Sequence, residues 1–227
     1  MGHYSDSCEQ RFRQLYERDF DWMEFNTHLM WRRLGDGERK AIAIDASYIS
    51  KAGKKTPYIG KFWSGCAGAM KRGLEILGIG IVDVDMRDCM MLRAEQTPDK
   101  TVLQDKGDDY NLVDWYLDVL REHRERLLGI TRYAVADAWF SKARFVNELC
   151  NMGFHLISRL RDDAALWYAH DGVRTGKRGR PRIKGEKIDF ENLDFTRCES
   201  LDIEGGKAYV LNAYSTAMKR NIRIVVH

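Results

Sequence analysis

Two apolar, strand-like runs, each carrying one aspartate, constrain this chain more than any other feature. The first, Ala41 to Tyr48, reads AIAIDASY. Its small and β-branched residues read as a buried strand. A carboxylate in such a strand is costly to desolvate unless something compensates it. Asp45 therefore has three readings: a cationic partner, a share in a metal site, or a strand that ends in solvent at that point. The second run, Arg132 to Phe140, reads RYAVADAWF and has Asp137 at the end of its strand-like part. Ser141 is then expected to cap a helix that shows Phe145, Val146, Leu149 and Cys150 on one face and stops at Gly153. Two strand carboxylates far apart in sequence suit a two-metal phosphoryl-transfer site. That chemistry needs oxygen ligands on rigid elements, around divalent cations roughly 3.5–4 Å apart.

The stretches AIAIDASYISKAGKKT, KFWSGCAGAMKRGLEILGIGIVD, YAVADAWFSKARFV and FHLISRLRDDA resemble the DDE transposases of bacterial insertion sequences. They are most similar to the insertion-sequence-four group, in a Bacteroides-type lineage, and the resemblance runs from about Trp22 to the C-terminus. It implies a ribonuclease-H-like core, with Asp45 as the first catalytic acid and Asp137 as the second. It also implies Mg²⁺ or Mn²⁺ as cofactor, held by those two residues, and double-stranded DNA as substrate and target.

Pattern alone reaches a similar fold. Leu74 to Val84 and Cys89 to Gln96 read as strands joined by a turn over Asp85-Met86-Arg87-Asp88. With the Asp45 strand they make a three-stranded antiparallel meander. Asp83 and Asp85 alternate onto one face near the hairpin tip, where a solvated tip is expected ahead of a DxD metal pair. A helix is expected over about Asp109 to Leu128, with Leu112, Tyr116, Val119, Leu120, His123 and Leu127 as its inner stripe. His123 sits at the edge of that stripe and has no second His or Cys at metal-ligand spacing. The Asp137 strand, its helix and a strand over Phe154 to Leu160 complete the order β-β-β-α-β-α-β, an α/β fold with a mixed sheet. That is the order of a ribonuclease-H-like core.

Before this core, Glu9 to Leu34 repeats Phe12, Leu15, Tyr16, Trp22, Phe25 and Leu29 at spacings near three and four. Such a stripe predicts one or two amphipathic helices packed on the core. The other reading is the remnant of a DNA-binding region, which members of the resembled family carry ahead of their catalytic core. Gly60, Gly65, Gly68 and Gly73 surround Phe62, Trp63 and Cys66 without forming a phosphate-binding loop. They are expected to allow turns or close backbone packing.

Net charge is only +3, so the local distribution of cations is more informative than their sum. Lys51, Lys54 and Lys55 follow the Asp45 strand, where they suit either DNA phosphates or an ordinary solvated loop. Arg159 and Arg161 close the last core strand, facing DNA or pairing with Asp162 and Asp163. The run RTGKRGRPRIKGEK from Arg174 to Lys187 holds seven basic residues, among them Lys177, Arg178, Arg180, Arg182 and Lys184, against Glu186 alone. Its Arg178-Gly179-Arg180-Pro181-Arg182 centre is similar to an AT-hook, whose arginines enter a narrow minor groove. A plain solvated charge run is the alternative. Lys187 to Phe190, Leu193 to Leu201, Lys207 to Tyr214 and Asn221 to Val226 read as short strands of a β-rich insertion after the fifth core strand. The expected organisation is a helical region over 1–36, a catalytic core over 37–162, and a basic linker with a β-rich subdomain over 163–227.

The 227 residues, 44% of them hydrophobic, suffice for one large domain or one domain with an insertion. The cysteines are scattered without a CxxC pair, which speaks against a zinc ribbon. Their odd number and the lack of a secretory signal suit a reducing cytosol, in a nucleoid-associated bacterial protein. No apolar stretch approaches bilayer-spanning length. Partners are expected to be duplex DNA and a second copy in a homodimer, with neither a membrane nor a small-molecule substrate.

The family's third acid lies in a helical Tyr-x2-Arg-x3-Glu-x6-Lys motif. No tyrosine of this chain has Arg three positions later, and Glu186, Glu191, Glu199 and Glu204 stand in the wrong context. The expectation is a transposase core that ends before its last catalytic residue. Two functions follow: a DDE transposase or fragment of one, and a catalytically inactive DNA-binding or dimerising fragment that acts as an inhibitor.

Overall fold

The structure, a computed structural model, describes residues 6–37, 39–53, 55–160, 164–170 and 182–227. The chain divides into two compact units, Met1–Ala136 with Met152–Ile157, and Asp137–Asn151 with Ser158–His227. It is a mixed α/β protein with one mixed sheet and a second, antiparallel sheet. Among the described residues, no helix is long and apolar enough to cross a membrane.

The first sheet contains β1 (Lys40–Ser50), β2 (Gly60–Ser64), β3 (Ala69–Asp83), β4 (Asp88–Gln96), β5 (Tyr133–Ala136) and β6 (His155–Ser158). Its order is β2-β3-β1-β5-β6, with β4 also paired to β3. β1 runs antiparallel to β3 and parallel to β5. The expected meander therefore gains a strand. Phe62 is buried, and a 3₁₀ turn over Gly65–Ala67 leads through Gly68, at φ 57°, into a β2–β3 hairpin. The positive φ is where glycine is needed. Further along β3, a Cβ on Gly73 would lie 2.4 Å from the Ile49 carbonyl and 2.5 Å from the Tyr48 ring, so this glycine allows close packing as expected.

β3 alternates without a break: Gly73, Glu75, Leu77, Ile79, Ile81 and Asp83 are buried and the residues between them are half-buried. That face makes the core together with Ile42 and Ile44 of β1 and Leu92 of β4. α1 (Glu9–Tyr16) and α2 (Trp22–Leu34) occupy the region expected to be helical. Their burial differs from the expected stripe. Met23, Met30 and Leu34 are buried, whereas Leu15, Trp22, Phe25 and Leu29 are exposed. Apolar residues cover more than one side of α2, and packing against β4 selects the methionine side, with Asn26 Nδ2 donating to the Leu92 carbonyl at 2.9 Å. Phe20, Trp22 and Phe25 instead stack edge-on with one another, with centroids 4.6–6.3 Å apart.

α3 (Lys100–Asp105) begins where Asp99 accepts hydrogen bonds from the amides of Thr101 and Val102. The long helix expected next is two, α4 (Leu112–Glu122) and α5 (Arg124–Ile130). Asn111 and Asp114 form a reciprocal capping box that starts α4. His123, at φ −99° and ψ 8°, breaks the run.

In the second unit, α6 (Ala143–Asn151) buries Phe145, Val146 and Leu149, as its pattern predicts, and Gly153 follows at φ 98°. The second sheet has the order β11-β10-β7-β8 with β9 beside β10, from β7 (Leu166–Ala169), β8 (Lys184–Lys187), β9 (Glu199–Ile203), β10 (Gly206–Ser215) and β11 (Arg220–Val226). Leu166, Ile188, Leu193, Leu211, Ala213 and Ile224 form its core. Two expected strands are shifted. Asp189 accepts from the amide of Glu191, and the strand expected over Lys187 to Phe190 instead runs over Lys184–Lys187 and ends before it. Asp194 caps a 3₁₀ turn over Phe195–Arg197, which delays the next strand to Glu199. Short side-chain-to-backbone bonds of this kind compete with strand pairing.

Candidate active site

β1 does not end at Asp45 but continues to Ser50. Ile42 and Ile44 point into the core, so alternation turns Asp45 to the other face with half-buried Ala43 and exposed Ser47. The carboxylate is exposed, and among the described residues no cation pairs with it. Of the three readings of Asp45, the solvent-exposed carboxylate is the one observed, but on a strand that continues past it: burial stops at Ile44. Opposite Asp45 stands Gly78, against which the Met91 side chain lies, and opposite Ala43 stands Gly80. Ser47 Oγ approaches its Oδ2 at 3.4 Å, a long contact.

Asp137 follows the last residue of β5 and opens a 3₁₀ turn over Ala138–Phe140. Its Oδ1 accepts from the Trp139 amide at 2.9 Å. Ser158 Oγ donates to the Asp137 carbonyl at 2.8 Å and lies 2.8 Å from Ser141 Oγ, which donates to the Arg159 carbonyl at 3.0 Å. Ser141 therefore does not cap α6, as its position had suggested. Its hydroxyl is committed to this cluster instead, and the Lys142 carbonyl accepts the first helical bond, from the Val146 amide.

The β1–β5 register runs Ile42↔Ala134, Ala43↔Val135 and Ile44↔Ala136. Asp45 and Asp137 are each the next residue along those two parallel strands. Each keeps carboxylate oxygen that no described residue engages through a strong hydrogen bond. Hard, negatively charged, unshared oxygens are the donors that Mg²⁺ and Mn²⁺ take, and each of these carboxylates taken by itself offers one. Among the described residues no group of three or more His, Cys, Asp or Glu forms a metal-binding cluster.

Other carboxylates do not join them. Glu75 lies in β3 three positions from Gly78, so it shares the core face with Leu77 while Asp45 lies on the opposite one. It accepts instead from Tyr116 Oη at 2.5 Å and Thr97 Oγ1 at 3.0 Å. Glu186, Glu191, Glu199 and Glu204 are exposed residues of the second unit, with Glu186 3.5 Å from Arg197 and Glu199 3.3 Å from Arg223.

Of the basic residues expected to meet DNA, Lys51 and Lys55 are exposed in the segment after β1, and Arg159 is exposed after β6. Arg182 and Lys184 are exposed in the second unit, and Lys184 Nζ lies 4.4 Å from the Trp167 ring centroid. Lys54, Arg161, Lys177, Arg178 and Arg180 lie outside the described residues. Sequence reasoning passed over two further features. One is buried Glu75, legible as the charged member of an otherwise apolar alternation. The other is Lys142, whose Nζ lies 3.3 Å from the Trp139 ring centroid. Periodicity carries no signal for that pair.

The profile of a protein family described as DDE superfamily endonuclease matches residues 10–202. No curated protein matches the chain.

Proposed function

The chain belongs to the DDE superfamily of endonucleases, and from that premise we propose that it is a metal-dependent transposase of an insertion sequence. It cuts duplex DNA and joins the freed 3′-hydroxyl to a target phosphodiester. The observation that carries this reading is the Ile44↔Ala136 pairing, because Asp45 and Asp137 are the next residues along neighbouring parallel strands. The strand succession β4-β3-β1-β5-β6 supports a ribonuclease-H-like core behind them.

Asp45 and Asp137 are the residues that would hold Mg²⁺ or Mn²⁺. Such ions, when bound, offset phosphate charge and make bound water or hydroxyl a better nucleophile. The chain's own part is preorganisation. The eleven-residue β1 is paired along its whole length with β3, which fixes the backbone that carries Asp45. The Ser158 hydroxyl on the Asp137 carbonyl and the Trp139 amide on its Oδ1 fix the second acid.

The test is nicking of supercoiled plasmid and strand transfer of a 3′-hydroxyl duplex, with Mg²⁺ or Mn²⁺ added. Asp45→Asn and Asp137→Asn should each abolish both reactions while the melting temperature without metal stays close to that of the parent. The rise in melting temperature that Mn²⁺ gives the parent by linkage should also vanish. Unchanged nicking in both variants would overturn the assignment. Duplex binding without cleavage in the parent would favour an inhibitory DNA-binding protein instead.

A further inference from the structure

Lys142 lies in the field of one acid, Asp137, but in contact with none among the described residues. No described carboxylate pairs with it, and no described residue accepts a hydrogen bond from its Nζ. The ammonium lies over the Trp139 indole, 3.3 Å from the ring centroid. An indole face attracts a cation through its quadrupole but offers no oxygen to the three N–H donors. Burial disfavours the charge of Lys142, and the nearby negative charge of Asp137 acts against that.

The platform beneath this cation is anchored at several points. Trp139 is 40% exposed, and its amide is held by the Asp137 carboxylate. Its ring meets buried Phe140 edge-on at 5.0 Å, and Phe140 in turn packs on Phe145 of α6 at 5.0 Å. The Lys142 carbonyl accepts from Val146 at the start of α6, which fixes the lysine backbone. Lys142 itself is exposed, so the donors that the ring leaves over face outward, open to an anion that arrives from solvent.

We propose that Lys142, seated on Trp139, binds a phosphate of the DNA strand beside Asp137. The assignment rests on the transposase reading, since that reading brings a phosphodiester to Asp137. The Asp137 carboxylate and an incoming phosphate repel each other, and the Lys142 ammonium offsets part of that repulsion. Lysine serves here as a point charge, so the contact carries no base preference.

The experiment measures binding of the full chain to short duplexes in Ca²⁺, across a salt series. Each duplex carries one uncharged methylphosphonate in place of a phosphate, moved along the strand. One phosphate contact contributes a slope of about 0.9 in log K against log salt, or roughly tenfold at 0.1 M salt. Lys142→Ala should lose that factor and that slope, and Lys142→Arg should recover most of both, with melting temperatures unchanged. One methylphosphonate position should weaken the parent by the same factor and leave Lys142→Ala no weaker. Equal binding by the parent and Lys142→Ala at all salts, or further loss in Lys142→Ala at every methylphosphonate position, would overturn the assignment. If Asp45-dependent nicking persists alongside that result, Lys142 alone is reassigned. A parent chain that neither binds nor nicks DNA would remove the transposase reading, and Lys142's role with it.

Discussion

Lys40 and Asp83 form a buried ion pair where β1 begins and β3 ends, with Nζ 3.2 Å from Oδ2 and side chains 2% and 0% exposed. They are register partners across the β1–β3 pair, five residues along β1 from Asp45. Lys40 Nζ also donates to the Gly37 carbonyl at 2.6 Å, and Asp83 Oδ1 accepts from the amides of Asp85 and Met86 at 3.0 and 2.9 Å. The Met86 amide first, then Lys40, and last the Asp85 amide hold the Asp83 carboxyl below the usual carboxylate range, against the opposing effect of burial. The hairpin tip expected to be solvated is therefore closed at Asp83, while Asp85 pairs with exposed Arg39.

Removing one partner of such a pair leaves a buried charge uncompensated, which costs far more than removing both. Lys40→Met should lower the melting temperature by on the order of 10 °C. The double variant Lys40→Met/Asp83→Asn should recover more than half of that loss. Thermal melts followed by circular dichroism decide it. A double variant no better than Lys40→Met would show that the pair is not the source of the effect.

Tyr116 of α4 reaches the core face of β3 through its hydrogen bond to Glu75. Burial, then the charge of Glu75, push the phenol's pKa up, so it remains a donor. Tyr116→Phe removes a hydrogen bond to a buried carboxylate and should cost about 1.5–3 kcal/mol. Urea titration of the parent, Tyr116→Phe and Thr97→Val measures this. If Tyr116→Phe were neutral, the network would contribute nothing to the docking of α4.

His123 is buried at the α4–α5 break, and its Nε2 has no partner among the described residues. Burial lowers its pKa, the main effect among those of nearby Glu122, Arg93, Glu95 and Arg126. The unfolded chain then binds more protons than the folded one between the lowered folded value and about 6.5. Stability from this group is complete above the unfolded value and is lost as pH falls through the folded one. Melting temperatures between pH 8 and pH 5 should fall more steeply in the parent than in His123→Phe. Parallel curves would remove His123 as the cause.

Arg178, Arg180 and Arg182 concentrate positive charge in one short basic segment. Replacing Arg178, Arg180 and Arg182 with Ala should flatten the salt dependence of duplex binding by about three phosphate contacts. If the segment acts as an AT-hook, the parent's advantage on A·T-rich over G·C-rich duplexes should disappear with it. Fluorescence anisotropy on both duplexes reads the two effects separately. An unchanged slope would mean that these arginines do not touch DNA.

By itself the sequence determined the elements whose pattern has one solution. The Asp45 strand, the Asp137 strand, the inner face of α6 and the two strands near β10 and β11 follow from short apolar runs bounded by turn residues, or from one helical period. Tertiary structure decided the rest, where local pattern admits more than one answer. α2 carries apolar residues on several sides, and contact with β4 chose Met23, Met30 and Leu34 over Trp22 and Phe25. Asp83 reads as a tip residue until Lys40, distant in sequence, is brought beside it. Asp45 reads as buried until strand alternation, set by the pairing of Ile42 and Ile44 with β3, turns it outward. Periodicity records which residues a segment would bury. Which neighbour arrives, and with what charge, is a property of contacts between segments, and no single segment encodes it.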